Sequence, residues 1–312
     1  MGVRRPGGRR GLRLGVLAAA LIVTLGTSGC SAPPTVGDGT LGVEWAQLPT
    51  PSVPVPAENA CTSADGAQIA GWTLAFLPGT TVDCAQPHLT ETLYVGVFPA
   101  AVDTDPNTVP SVGGARFRYA YTTCLEQATA FLGGDPRASR LAVLPVMPSE
   151  RQWLGRARWF RCEVMELAGL DRAIAPRTGT LRGGLAGAGP LTTSCADVTL
   201  NASRTEVLAA TFTPCQGAHD VELTGAATLP EGDYPDARRL VELLSDGCIE
   251  VGAAYVGISA GELLRAGSSA FEFAAPITEE MWSVGERSAW CFYGSLSQRR
   301  TGSVRNLGSF PY

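Results

Sequence analysis

The residues able to do chemistry in this chain are few, and they come in matched pairs. Its only two histidines stand in Cys84-Ala-Gln-Pro-His88-Leu-Thr-Glu91 and Cys215-Gln-Gly-Ala-His219-Asp-Val-Glu222, each four residues after a cysteine and three before a glutamate. Cysteine, histidine and glutamate are zinc-ligand types, but zinc takes three or four ligands and its sulfur ligands are thiolates. With the cysteines oxidised, one His and one Glu fall short of that set, so no metal site and no cofactor are expected. Two roles remain open. The side chains either close a turn by hydrogen bonding, or His88, Glu91, His219 and Glu222 form a polar binding patch on a rigid loop.

The other chemical motifs read more plainly. Gly257-Ile-Ser259-Ala-Gly261 matches the Gly-x-Ser-x-Gly nucleophile pattern, which needs a strand before the serine and a histidine later in the chain. Here helical periodicity precedes Ser259 and the last histidine lies upstream, so Gly257 reads as a helix C-terminal glycine followed by a turn. Glu126 and Glu250 read as a solvated helix face, and Trp153 and Trp282 as core or strand-surface aromatics. No catalytic residue is assigned, and the expectation is a non-enzymatic protein.

Nine cysteines is an odd number, so one must stand outside the disulfides. Arg4, Arg5, Arg9, Arg10 and Arg13 precede the apolar run Leu14 to Leu25, and Gly26-Thr-Ser-Gly29-Cys30 follows. A basic stretch, a short apolar run and small residues make an export signal. The run is shorter than the roughly 20 residues that span a bilayer. Arg9-Arg10 is similar to a twin-arginine signal, although a merely basic start accounts for it as well. Small residues before a cysteine resemble the bacterial lipoprotein signal, with Thr27 where leucine is usual. That resemblance implies removal of residues 1–29 as a signal peptide and lipidation of Cys30. The diacylglyceryl group's two acyl chains, palmitate among them, would anchor the chain stably. The expected location is the extracytoplasmic face of the cell membrane.

Removing residues 1–29 takes away five arginines and no acid, moving the net charge from −5 to −10; the chain has no lysine. An acidic ectodomain excludes nucleic acid as an expected partner. The stretch 30–58 is rich in Pro, Gly, Ser and Thr and reads as a tether. Fully extended it reaches about 90 Å at about 3.1 to 3.4 Å per residue.

Beyond the tether the features recur in order. Cys124-Leu-Glu126-Gln-Ala-Thr-Ala-Phe131-Leu-Gly133 answers Cys248-Ile-Glu250-Val-Gly-Ala-Ala-Tyr255-Val-Gly257. Trp153 and Trp282 each lie nine residues before a cysteine, with Arg158 and Arg287 at the same offset. Thr178-Gly-Thr-Leu-Arg182 answers Thr301-Gly-Ser-Val-Arg305, and Cys61 and Cys195 open the two series. The repeat predicts two homologous domains, 59–186 and 191–309, joined by a run of small residues.

Cys-x2-Pro-His-x2-Glu, Cys-x6-Phe/Tyr-x-Gly and Trp-x2-Gly-x-Arg before a last cysteine resemble the septum formation domain family of actinobacterial envelope proteins. The first copy departs at Trp153-Leu-Gly155-Arg156, with the glycine one place early, and the second has Ala218 in place of proline. The resemblance implies a location and a process, septum formation, rather than a reaction. The tether, the duplication and the lack of a catalytic constellation point to an envelope or division protein as partner, with an extracytoplasmic binder or sensor of a small ligand, metal or glycan as the alternative.

Elements that could hold these residues are readable from periodicity. Leu240, Leu244, Cys248, Val251 and Tyr255 recur at helical steps, placing Cys248 on a buried face. Short runs near 92–98, 142–144, 158–162, 207–212 and 288–293 are rich in β-branched and aromatic residues. The expected fold class is α+β: two disulfide-stapled domains, each a small antiparallel sheet packed with a helix. Four cysteines per copy allow three connectivities. The favoured one pairs first with second and third with fourth, because the third lies on the helix and the fourth ends the Trp-containing strand: Cys61 with Cys84, Cys124 with Cys162, Cys195 with Cys215 and Cys248 with Cys291.

Overall fold

The computed structural model describes residues 54–63, 68–70, 73–75, 79–105, 107–187, 189, 191–203, 206–266, 271–274, 277–295 and 298–309. Cys30, the expected signal peptide and most of the expected tether lie outside them. Residues 52–312 make one compact unit. Among the described residues no helix is long and apolar enough to cross a membrane.

The fold is α+β, with two antiparallel five-stranded sheets. The first is built from β1 (Ala60–Ser63), β4 (Thr80–Val82), β5 (Thr90–Val97), β6 (Leu141–Val146) and β7 (Trp159–Glu166). Their order is β4-β1-β5-β7-β6, and a small hairpin of β2 (Gln68–Ala70) and β3 (Thr73–Ala75) is inserted after β1. The second uses β8 (Ser194–Leu200), β9 (Val207–Thr213), β10 (Val221–Thr228), β11 (Phe271–Ala274) and β12 (Ser288–Gly294), in the order β9-β8-β10-β12-β11. Counted along the chain, both sheets run second, first, third, fifth, fourth. Even the irregularity recurs, since register shifts between Thr92 and Tyr94 in one sheet and between Leu223 and Gly225 in the other. Such a shift bends the strand locally.

Each sheet carries one long helix. Helix α1 (Ala115–Leu132) packs on β5, β6 and β7, and α3 (Ala237–Val256) on β10 and β12. Cys124 and Cys248 lie on the buried faces, beside Ala120, Ala128 and Leu132 in α1 and beside Leu244, Ala253 and Val256 in α3. Both helices stop at a glycine in the left-handed region, Gly133 at φ 76° and Gly257 at φ 83°, where a Cβ would be penalised. Asp236 caps the start of α3 by accepting from Arg239 N at 2.8 Å.

Three short helices complete the set: α2 (Glu150–Leu154), α4 (Ala260–Ala266) and α5 (Glu279–Ser283). Helix α2 begins with a capping box between Ser149 and Gln152, and Thr278 caps α5 by accepting from Met281 N. These two helices exist to turn a tryptophan inward. Trp153 and Trp282 are buried, each beneath the arginine that immediately precedes the following strand, Arg158 at 3.9 Å and Arg287 at 3.8 Å from the ring centroid. Each guanidinium also donates from Nη1 to the backbone oxygen of its own tryptophan. The arginine thus seals the indole from water while its charge sits on the π face.

The cysteines pair Cys61–Cys84, Cys124–Cys162, Cys195–Cys215 and Cys248–Cys291. The longer loop in each half staples the helix to the β7 or β12 strand, and the shorter ties the first strand to the loop after the second.

The halves share a core. Phe117 and Tyr121 of α1, Leu144, Met165 and Leu167 cluster with Val284 of the second half, and Phe212, Met281 and Trp290 pack against them. Residues 168–170 lie along the edge of β9, with Leu170 N donating to Ala210 O at 2.9 Å and Phe212 N to Ala168 O at 2.8 Å. Gly169 is needed there because a Cβ would collide with Ala210 O.

Candidate functional site

The His and Glu of each half sit at the turn entering the central strand, β5 or β10. His88 and His219 are 1% and 0% exposed, Glu91 and Glu222 2% and 0%. Nδ1 of each histidine reaches a carbonyl two residues back, Gln86 O at 2.8 Å and Gly217 O at 3.0 Å. That contact makes Nδ1 the protonated nitrogen. Nε2 has no hydrogen-bond partner among the described residues in either half. The backbone of each histidine pairs with an arginine near the end of its half: His88 with Arg177 and His219 with Arg300, through bonds of 2.9 to 3.0 Å.

The glutamates complete this closure. Glu91 accepts from Thr180 Oγ1 at 2.6 Å and Leu181 N at 2.7 Å. Glu222 accepts from Val304 N at 2.8 Å, from Ser303 Oγ, and from Tyr255 OH at 2.6 Å. Burial, then the Glu222 charge, push the Tyr255 hydroxyl well above the ordinary tyrosine value, so it stays a donor. The segment held this way is the repeated Thr-Gly-Thr/Ser-Leu/Val-Arg. It continues onto the end of the long helix, where Gly183 N donates to Phe131 O and Leu185 N to Leu132 O in the first half. Asn306 N to Tyr255 O and Gly308 N to Val256 O do the same in the second. The small-residue run after Arg182 is therefore docked on α1 through its first residues rather than hanging free.

Cys-x3-His-x2-Glu is thus the socket of a clamp, and the final segment of each half is its plug. Ligand-type atoms of Cys61, Cys84 and Glu91, and of Cys195, His219 and Glu222, do lie within 4.8 Å of one another. The sulfurs are all disulfide sulfurs, however, which lack the thiolate charge that zinc requires.

The other sequence motifs fall as follows. Gly257 ends α3, and Ser259 begins α4, its Oγ donating to Glu262 Oε2 at 2.6 Å while Glu262 N faces it at 3.3 Å. Glu262 is held below the usual carboxylate value by those serine contacts. Glu126 and Glu250 are exposed on their helices.

A feature not anticipated from the sequence lies between the halves. A cavity of about 340 Å³ is bounded by α1, β6 and the loop after β7 on one side and by α5 and the start of β12 on the other. Its walls are mainly apolar, including Leu125, Leu144, Leu167, Leu170, Met281 and Trp290. Tyr121, Arg137, Arg172 and Glu286 supply the polar groups. Tyr121 OH donates to Glu286 Oε2 across the seam, and Ser288 N donates to Oε1 at 2.5 Å. Burial, then the neighbouring Glu286 charge, raise the Tyr121 hydroxyl well above its ordinary value. Trp290 Nε1 reaches Arg137 O at 3.0 Å. The one sequence signal for this site is a mismatch. Glu286 aligns with Ala157 and Tyr121 with Ser245, so the polar pair in the cavity has no counterpart elsewhere in the chain.

The model of the family described as septum formation matches residues 72–291, running from the first sheet to the last cysteine of the second. No curated protein and no solved structure matches the chain. With more than half its length inside that one match, the chain belongs to the septum formation family.

Proposed function

We propose that this chain is a non-enzymatic, lipid-anchored binding protein of the extracytoplasmic face of the cell membrane, acting in septum formation through contact with an envelope or division protein. One observation carries the reading: the paired Cys, His and Glu residues are all built into the disulfides and clamps that close each half. What remains for recognition is the surface of a rigid body. That surface includes exposed apolar side chains such as Val97, Leu154, Leu208 and Val241. Family membership supports the link to septation. The common strand order, the shared register shift and the matching clamps support descent from one duplicated domain. A tether rooted at Cys30 would give the folded part its reach.

The test is localisation in dividing cells. The wild-type chain is expected in the membrane fraction and enriched at septa, with Cys30→Ser released from membranes. An even distribution around the cell, with septation normal when the chain is deleted, would overturn the reading. A second reading, a small-ligand binder, is favoured by the cavity at the seam rather than by His88, Glu91, His219 and Glu222, which do not line it.

A further inference from the structure

Two packed halves keep a space between them only where something holds it open, because side chains otherwise interdigitate to native density. Here the seam is pinned around the cavity. Leu170 N donates to Ala210 O at 2.9 Å and Phe212 N to Ala168 O at 2.8 Å, fixing the loop after β7 against β9. Within the walls, Tyr121 OH donates to Glu286 Oε2 and Trp290 Nε1 to Arg137 O at 3.0 Å, each bond crossing from one half to the other. At 340 Å³, partly open to solvent, the cavity lies at the lower end of the range for small-molecule pockets.

Every polar side chain of the lining is already engaged within the protein. Glu286 accepts from Tyr121 OH and from Ser288 N. Arg137 holds Asp135 at 2.8 Å and faces the Glu286 charge. Thr278 Oγ1 accepts from Met281 N at 3.2 Å, and Ser288 Oγ lies 3.0 Å from Thr228 Oγ1. Arg172 has its own interactions. A charged group brought between these walls therefore gives up its hydration and finds no unpaired partner, which is costly. Hydrocarbon gives up nothing and gains contact with Leu125, Leu144, Leu167, Leu170 and Met281. The volume holds about eleven groups of water size at about 30 Å³ each, which sets the length of such a chain at about ten carbons.

We propose that the seam cavity binds an alkyl chain of about ten carbons, measuring its length and leaving its head group at the open side. The chain would touch both halves at once, since Leu125, Leu144, Leu167 and Leu170 belong to the first and Met281 to the second. This site is independent of the septal reading: loss of binding leaves localisation untouched, and mislocalisation leaves the cavity intact.

Displacement of the neutral fluorescent probe 1-N-phenylnaphthylamine from the full chain, disulfides intact, tests it with the n-alcohols from hexanol to tetradecanol, each below its solubility limit. Affinity should rise about fourfold per added methylene and stop rising near decanol, where the cavity is full. Ala142 is a half-buried lining residue, and Ala142→Leu should move that break to shorter alcohols by about three carbons. Met281→Ala should move it to longer ones by about as much. Decanoate and decyltrimethylammonium, with one tail and opposite heads, should bind within about fivefold of each other, because an exposed head charge is worth little. Displacement by didecanoylphosphatidylcholine vesicles as well would name a membrane lipid as the source of the chain, and displacement by the free alcohols alone a soluble one. Near-UV circular dichroism checks that each variant keeps the native fold. No saturable probe binding, affinity that climbs past decanol without a break, a break unmoved in both folded variants, or a larger preference for either head charge would overturn the proposal.

Discussion

Replacing Glu222 with alanine tests whether the clamp is what closes the second half. The carboxylate is fully buried and accepts from Val304 N, Ser303 Oγ and Tyr255 OH. Each donor left without an acceptor costs about 1 to 3 kcal/mol. Tyr255 OH and Ser303 Oγ lie 3.4 Å apart and can partly satisfy each other, whereas Val304 N has no substitute. The total comes to roughly 3 to 5 kcal/mol, as when one partner of a buried charged network is removed. At a urea slope of about 2 to 3 kcal/mol per molar, a loss of about 4 kcal/mol moves the midpoint down by roughly 1.3 to 2 M. Glu91→Ala should cost about 1 kcal/mol less, because Glu91 accepts two hydrogen bonds among the described residues, from Thr180 and Leu181, where Glu222 accepts three. Adding Tyr255→Phe to Glu222→Ala should cost less than Tyr255→Phe alone, a coupling of about 1 kcal/mol in the double-mutant cycle. The assay is equilibrium unfolding of the oxidised protein followed by far-UV circular dichroism. A Glu222→Ala midpoint within error of wild type would refute the clamp and return these side chains to a recognition role.

Three further outcomes follow from the same structure. Because Tyr121 and Tyr255 keep their protons to higher pH when folded than when unfolded, the unfolded chain binds fewer protons above about pH 10, and stability should fall as pH rises through that range; the Tyr121→Phe, Tyr255→Phe double variant should show a flatter melting-temperature profile there. Replacing Cys248 and Cys291 together by alanine opens a loop with a sequence separation of 43 and should cost about 4 kcal/mol, against about 3 for Cys195 and Cys215 at a separation of 20, measured by thermal unfolding. Gly169→Ala drives a methyl into Ala210 O and should destabilise by about 1 to 3 kcal/mol, with hydrogen exchange rising first at the amides of Leu170 and Phe212.

Much of this fold was legible because its signals are local. Leu240, Leu244 and Cys248 carry a helical period, and the β7 and β12 strands announce themselves by their aromatics. Strand β10 was not seen: Val-Glu-Leu-Thr-Gly-Ala-Ala-Thr lacks aromatic bulk, because α3 packs closely there and Val251 would meet any Cβ on Gly225. The motif Cys-x3-His-x2-Glu was visible, and so was a turn-closing role for its histidines, but the part of the glutamate was not, since the acceptor and donor of the clamp lie 90 residues apart in the first half. The cavity was hidden for a similar reason. Its walls come from both halves, and the residues that distinguish it, Tyr121 and Glu286, are those where the two series fail to match.

The clamps also impose an order of completion on the chain. In each half the socket is made early and its plug is the last segment, 177–182 or 300–305. During synthesis from the N-terminus, Glu91 therefore has none of its clamp donors until residue 180 exists, and Val304 N is the final donor to reach Glu222. The first half can be locked while the second is still being made. The second remains open until residue 304 has emerged, so a chain stopped at residue 300 lacks the closing piece of its second half.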